Sequence, residues 1–158
     1  MIIKDMKIYS ENKKAGFNYE ILERFESGLV LFGQEVKSIR TGHINLAGSF
    51  VTLKPQTGGG YPEPYLVGVK IPPYQPNNAG ADYNEDRPRK LLLNKKEIVY
   101  LAGKSKQAGF SLIPLKIYDN SGRIKLEFGL AKGKKKYDKK EKIKKRDVER
   151  EVNRELSA

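Results

Sequence analysis

Ile124, Leu126, Phe128 and Leu130 alternate with Lys125, Glu127, Gly129 and Ala131. A period of two sends one set to a buried face and the other to the outside of a β-strand. Phe110 to Tyr118 runs before it, and Asp119-Asn120-Ser121-Gly122 between them has turn composition, so the two predict a hairpin. Pro114 has no N–H to give to a ladder and must lie at an edge or a bulge. Tyr19 to Phe25 predicts a further strand, turned by Ser27-Gly28 into Leu29-Val30-Leu31-Phe32. Ser49 to Leu53 and Tyr65 to Ile71 add two more, joined by the glycine-rich Pro55–Pro64 connection.

Two helices interrupt the strands. Gln34 to Thr41 is short, with Val36 and Ile39 on its apolar side and Gly42 just past its end. The second is better marked. Asn94 stands at the N-cap with Glu97 three residues on, and Leu93 and Ile98 occupy the hydrophobic-staple positions. It runs to about Gln107. Six strands and two helices predict a mainly β fold with flanking helices, a small antiparallel barrel of the oligonucleotide-binding kind.

Charge changes the picture at the carboxyl end. Lys132 to Arg146 holds ten Lys/Arg against two Asp/Glu, within a chain of 158 residues and net charge +12. Such a run gains little from a protein core and much from a polyanion, because each neutralised phosphate releases a counterion. The expected organisation is a flexible extension over 1–11, a barrel over 12–131 and a basic, conditionally helical tail over 132–158. The body keeps a net +6 without that tail. Nucleic acid is the first partner to consider. A chain without cysteine and with one histidine, His43, has no disulfide and no thiolate or imidazole cluster for a metal. No apolar run reaches the roughly 20 residues of a membrane helix. A cytoplasmic monomer without metal or cofactor is expected. Ser and Thr lack a paired His, so nucleophilic catalysis finds no support and no enzyme is expected.

Within the body, Arg87-Pro88-Arg89-Lys90-Leu91-Leu92-Leu93-Asn94-Lys95-Lys96 has the densest local chemistry. It reads either as a phosphate-binding edge leading into a helix N-terminus, or as a solvated basic loop whose leucines fill the core. Glu35, amid basic neighbours, favours the positive end of its helix dipole; its other reading is to hold Lys37 or Arg40, or to meet a base. Three glycines at Gly58–Gly60 lack the Lys and the helix of a phosphate loop. Asp82, Glu85 and Asp86 read as loop solvation. Tyr9, Phe17, Tyr19, Tyr74, Tyr83 and Tyr137 lie among polar or basic residues, where rings suit stacking on unpaired bases.

Three segments in order, Gly33-Gln34-Glu35-Val36-Lys37-Ser38-Ile39-Arg40, then Arg87 to Leu93, then Ala131-Lys132-Gly133-Lys134-Lys135-Lys136-Tyr137-Asp138-Lys139-Lys140, resemble the SsrA-binding proteins, or small protein B, of bacterial trans-translation. The resemblance covers roughly Asn12 to Arg154. It implies binding to the tRNA-like domain of tmRNA, support for its charging, and delivery to stalled ribosomes. By position in the motifs it implies RNA contact for Asn12, Lys13, Glu35, Arg89, Lys90 and Leu92. Lys37, Arg40, Arg87, Asn94 and Lys95 are named with them as basic or helix-start neighbours. It also implies a tail of Gly133, Lys134, Lys135, Tyr137, Asp138, Lys139 and Lys140 that enters the decoding centre and vacant mRNA channel. The competing expectation is a structural ribosomal protein, or a general RNA-binding protein, with a basic tail.

Overall fold

A computed structural model of the chain describes residues 6–78, 80, 83–134, 146 and 150. The order is β1 (Met6–Glu11), α1 (Ala15–Asn18), β2 (Tyr19–Leu29), α2 (Gly33–Arg40), β3 (Phe50–Lys54), β4 (Glu63–Val67), β5 (Arg89–Leu92), α3 (Lys95–Ser105), β6 (Phe110–Asn120) and β7 (Arg123–Gly133). The strands form one antiparallel sheet in the order β1-β6-β3-β4-β5-β2-β7, and β7 pairs back with β6. Six strands thus close a ring, and β1 lies outside it on the free edge of β6. The ring is tight at β6–β7 and loose at β3–β6, where Val51 opposite Leu112 is the single ladder pair.

The period-two reading of β7 holds. Leu126, Phe128 and Leu130 point into a core shared with Leu66, Leu91, Leu112 and Ile117, all nearly solvent-free. Burying each such side chain contributes about 1.5–3 kcal/mol. Phe128 stacks on Phe25 with ring centroids 5.5 Å apart. On the opposite face, Ala131 packs with Ile113 and Leu115 beneath Ala15 of α1, so a short helix covers what a lone barrel wall would expose. Pro114 sits at the register shift between β6 and β7, the bulge its missing N–H requires.

Four expectations are corrected. The sheet has seven strands, because Met6–Glu11 pairs with Glu11 opposite Lys116 and Met6 opposite Asn120. The ordered body therefore starts before Asn12, and 6–11 is not a free extension. Ser27-Gly28 is no turn: β2 runs straight through it, with Ser27 opposite Leu126 and Gly28 opposite both Lys125 and Leu92. A side chain at Gly28 would stand 3.2 Å from Leu92 Cδ1, so the glycine serves close strand approach. Arg89–Leu92, read as a basic lead into a helix, is a strand of the ring. The strand expected over Tyr65–Ile71 leaves its ladder after Val67, although Val69 and Ile71 remain core. In the tail, Arg146 and Arg150 are helical and exposed; the rest of the helix expected there lies outside the described residues.

Candidate nucleic-acid interface

Glu35 stands at the third position of α2, where its carboxylate reaches back to the N–H of Phe32 at 2.9 Å. Phe32 has no acceptor to return, so this is half a capping box. The other interactions of Glu35 are with β5 and the residues just before it. Its Oε2 accepts from Arg89 Nε at 2.7 Å and its Oε1 accepts from Arg87 Nη2. Arg89 is fully enclosed; it also donates to the Val69 carbonyl at 2.6 Å and the Glu85 carbonyl at 2.8 Å. Its charge is thus paired and its fork satisfied, the condition under which a buried guanidinium is tolerated. Glu35 and Arg89 have no surface to present. Both were expected to contact RNA; in the free chain they are internal.

Above them lie Arg87 and Phe32. The Arg87 guanidinium sits 4.3 Å from the Phe32 ring centroid, with about a quarter of its side chain open to solvent, and Phe32 is well exposed. An arginine pinned by a carboxylate and stacked on a ring is pre-set for a phosphate or base plane. Lys37 lies on the outer side of α2, 5.9 Å from the Tyr74 ring. The long loop that carries Tyr74 is tied down through Gln75 N–H to Gln34 Oε1 at 3.0 Å and Tyr83 hydroxyl to the Ile71 carbonyl at 2.8 Å. Burial, and then the Glu35 charge, hold the Tyr83 phenol above its ordinary range.

A second group gathers around Leu92, which is exposed by 56% although it belongs to a barrel strand. A cleft of about 350 Å3 lies beside it, lined by Gly28, Val36, Arg40, Leu92, Arg123 and Lys125. Arg40 is steadied from the β6–β7 turn: its Nη2 donates to the Gly122 carbonyl at 3.1 Å, and its Nε is 3.6 Å from Asp119. Tyr9 of β1 donates to the same Asp119 at 3.1 Å. An apolar floor ringed by Arg40, Arg123 and Lys125 suits a polyanion with an exposed sugar or base face. Phe32, Arg123 and Lys125 were missed as functional candidates. The signal for the last two was an outward-facing strand edge that starts with two cations.

The remaining residues spread out. Asn94 Oδ1 is used by the Glu97 N–H at 2.9 Å, and Lys95 stands next to Tyr61. Lys90 is half-exposed and 3.4 Å from Glu63; the Tyr65 hydroxyl, and then Lys90, draw that carboxyl below its usual range. Asn12 is not with this group. Its side chain donates to the Pro114 carbonyl at 3.0 Å, beside the middle of β6, and Lys13 follows it exposed. Asn12 also borders a cleft of about 740 Å3 along the loose β3–β6 seam. That cleft lacks the paired aromatic and basic side chains of the other surface. Gly133 and Lys134 mark where the tail departs: Lys134 N–H bonds the Asn18 carbonyl at 3.0 Å and its Nζ the Gly16 carbonyl at 2.8 Å. Lys135, Tyr137, Asp138, Lys139 and Lys140 lie outside the described residues. Along β2, Tyr19 faces Gly133 and Gly28 faces Lys125. The tail root and the Leu92 cleft are therefore nine residues, roughly 30 Å, apart.

Among the described residues no helix is long and apolar enough to cross a membrane, and no group of three or more potential metal ligands occurs.

Comparison with known proteins gives one family. The family described as SmpB protein matches residues 9–158. The SsrA-binding protein of Thermosynechococcus vestitus is 46% identical over 151 residues, 96% of this chain and 95% of that one. The SsrA-binding protein of Nitratiruptor sp. is 48% identical over 148 residues, 93% and 95% of the two chains. Among solved structures, one presented as "tmRNA-SmpB: a journey to the center of the bacterial ribosome" is similar at 44% identity and a TM-score of 0.60, covering 80% of this chain and 84% of that one. With a barrel that matches at this identity and a family match that runs through the basic tail, this chain belongs to the SmpB protein family.

Proposed function

We infer that this chain binds tmRNA and serves trans-translation on the ribosome, acting in the cytoplasm as a monomeric RNA-binding factor rather than an enzyme. The observation that carries the reading is the near-complete match to SsrA-binding proteins, made by a chain whose exposed edge combines Leu92 with Arg40, Arg123 and Lys125. In the fuller proposal, the α2–β5 edge receives the tRNA-like domain. Arg87, Lys37, Arg40, Leu92, Lys90, Asn94 and Lys95 meet the RNA, while Glu35 and Arg89 hold that edge in shape. Binding there supports charging of tmRNA and its delivery to stalled ribosomes.

The tail, Gly133-Lys134-Lys135 through Tyr137-Asp138-Lys139-Lys140, enters the decoding centre and vacant mRNA channel. A cationic segment gains counterion-release free energy in such a channel, where rRNA phosphates replace those of mRNA. The separation of roughly 30 Å along β2 suits this division, since one partner can be held at each end of the barrel. The proposed boundary lies after Lys134, because that residue is still bonded to the body. Asn12 and Lys13, near the middle of β6, would support either face.

A competition assay at fixed, near-physiological salt tests the reading. Labelled tRNA-like domain of tmRNA competes against bulk tRNA and an unrelated structured RNA, with the full chain and with a chain ending at Lys134. A preference of tens-fold or more, kept by the shortened chain while peptide tagging is lost, is expected. Equal competition by all three RNAs would favour a general RNA-binding or ribosomal protein instead.

A further inference from the structure

The face of α3 turned away from the core has an unusual make-up. The helix buries Leu101 completely and half-buries Ile98 and Ala102. Residues three and four apart share a side of a helix, so the opposite side presents Lys95, Lys96, Val99 and Tyr100. Val99 is exposed by 53% and Tyr100 by 39%. A solvated helix face has no need of an apolar pair there.

The glycine-rich connection between β3 and β4 supplies a third ring. Gly58, Gly59 and Gly60 all have φ near +95°, a run that residues with a Cβ adopt only under strain. This bend delivers Tyr61, itself 48% exposed, against the first turn of α3. The Lys95 ammonium is 5.7 Å from its ring centroid. Tyr61, Lys95, Lys96, Val99 and Tyr100 line one shallow depression of about 440 Å3. At its far side Lys104 is 5.8 Å from the Tyr100 ring.

Acids also lie nearby, with Glu97 in the first turn of α3. Glu23 accepts the Tyr100 hydroxyl at 2.6 Å, and Glu63 accepts from Tyr65 at 2.8 Å. Lys95 and Lys96 line the depression together with the apolar surfaces of Tyr61, Val99 and Tyr100. In sequence, Leu92 lies three residues before Lys95.

We propose that this face of α3 is a second RNA-binding site, taking an unpaired base stacked on Tyr61 with its phosphates on Lys95 and Lys96. Bases of any kind have a π-face that a tyrosine can meet, and ammonium groups hold the backbone alongside. The lysines at the rim disfavour a basic peptide, and the two flanking rings suit a flat heterocycle. The inference rests on the RNA-binding reading above and extends it past Lys95 to Tyr61, Lys96 and Tyr100, which that reading did not use.

The chain contains no tryptophan, so Tyr61→Trp introduces a single indole at the proposed stacking position. A Phe50→Trp variant, on the β3–β6 cleft, is the control. Each is titrated with the tRNA-like domain of tmRNA at fixed salt, and affinity is measured independently by filter binding. Strong quenching of the Tyr61→Trp indole, little change for Phe50→Trp, and a loss of about 5- to 150-fold in affinity for Tyr61→Ala are expected. Because Tyr61 is an exposed loop residue, Tyr61→Ala should unfold at the same temperature as the parent chain. Unchanged affinity in Tyr61→Ala together with an unmoved indole would overturn the site and leave the face to a protein partner. If the unsubstituted chain itself fails to bind in the filter assay, the RNA-binding reading falls, and this site with it.

Discussion

Arg87 and Arg89 are two residues apart and bind the same carboxylate, yet they belong to different regimes. Arg89 is sealed in, its charge cancelled by Glu35 and its remaining donors spent on two carbonyls. Arg87 leans out over Phe32 with part of its fork in solvent. Alternation sends both residues to one side of the chain; the difference is that Arg87 precedes β5 and Arg89 is within it. The lesson is that a basic segment is not a uniform surface. One cation there builds the edge and the other is available to use it.

The comparison breaks most severely at Glu35. Glu35→Ala would leave Arg89 charged and enclosed, and the loss of one partner of a buried pair costs about 3–5 kcal/mol. Urea unfolding should show it as a lower midpoint with an unchanged slope. Arg89→Ala should cost a similar amount, and the double variant much less than the sum, because the pair acts as a unit. Any RNA-binding defect of Glu35→Ala would then have to be measured below its new unfolding midpoint.

Arg87→Ala sharpens the contrast from the other side. Its stability should fall by no more than about 1 kcal/mol, in line with a partly exposed ion pair. Its RNA affinity should fall, and the slope of log affinity against log salt should decrease by about one, the mark of a single lost phosphate contact. A stability loss as large as that of Glu35→Ala, with an unchanged salt slope, would erase the distinction between the two arginines.

The smallest effect concerns another polar pair, the buried Tyr118 and the exposed Glu26. Burial, and then the hydrogen bond it donates to Glu26, push the Tyr118 phenol well above its ordinary 10.0. The folded chain therefore holds this proton more tightly than the unfolded chain. The associated stability is complete below pH 10 and is lost as pH rises from there toward the folded value. Denaturation at a series of pH values should show a decline of at most about 1.4 kcal/mol per pH unit from this group. Tyr118→Phe should flatten it in part, since Tyr9 and Tyr83 are shifted in the same direction.

What the sequence made legible was local. The Asn94–Glu97 cap, the β6–β7 hairpin and the Pro114 bulge each depend on residues a few positions apart, and all three are present. What it hid was non-local. Nothing near Arg89 signals burial, because its counter-charge lies 54 residues earlier. Ser27-Gly28 has turn composition, and only the approach of Leu92 explains why β2 continues through it. Met6–Glu11 is too short to identify without β6, whose pairing residues lie more than 100 positions away. For the candidate site, the cations were visible and their division between interior and surface was not.

The order of the strands in the ring has a consequence for the birth of the protein. Neither β1 nor β2 has a ladder partner earlier in the chain than β5. At about 5–20 residues per second, Leu29 waits roughly three to twelve seconds for Leu91 to be synthesised, and β1 waits longer for β6. During that interval β2 is an unpaired strand of eleven residues. Its Glu20, Glu23, Arg24 and Glu26 keep that nascent segment soluble, as charges on an open strand edge do. The barrel therefore closes late in synthesis, and a chain cut short before β6 would leave both amino-terminal strands without their main partners.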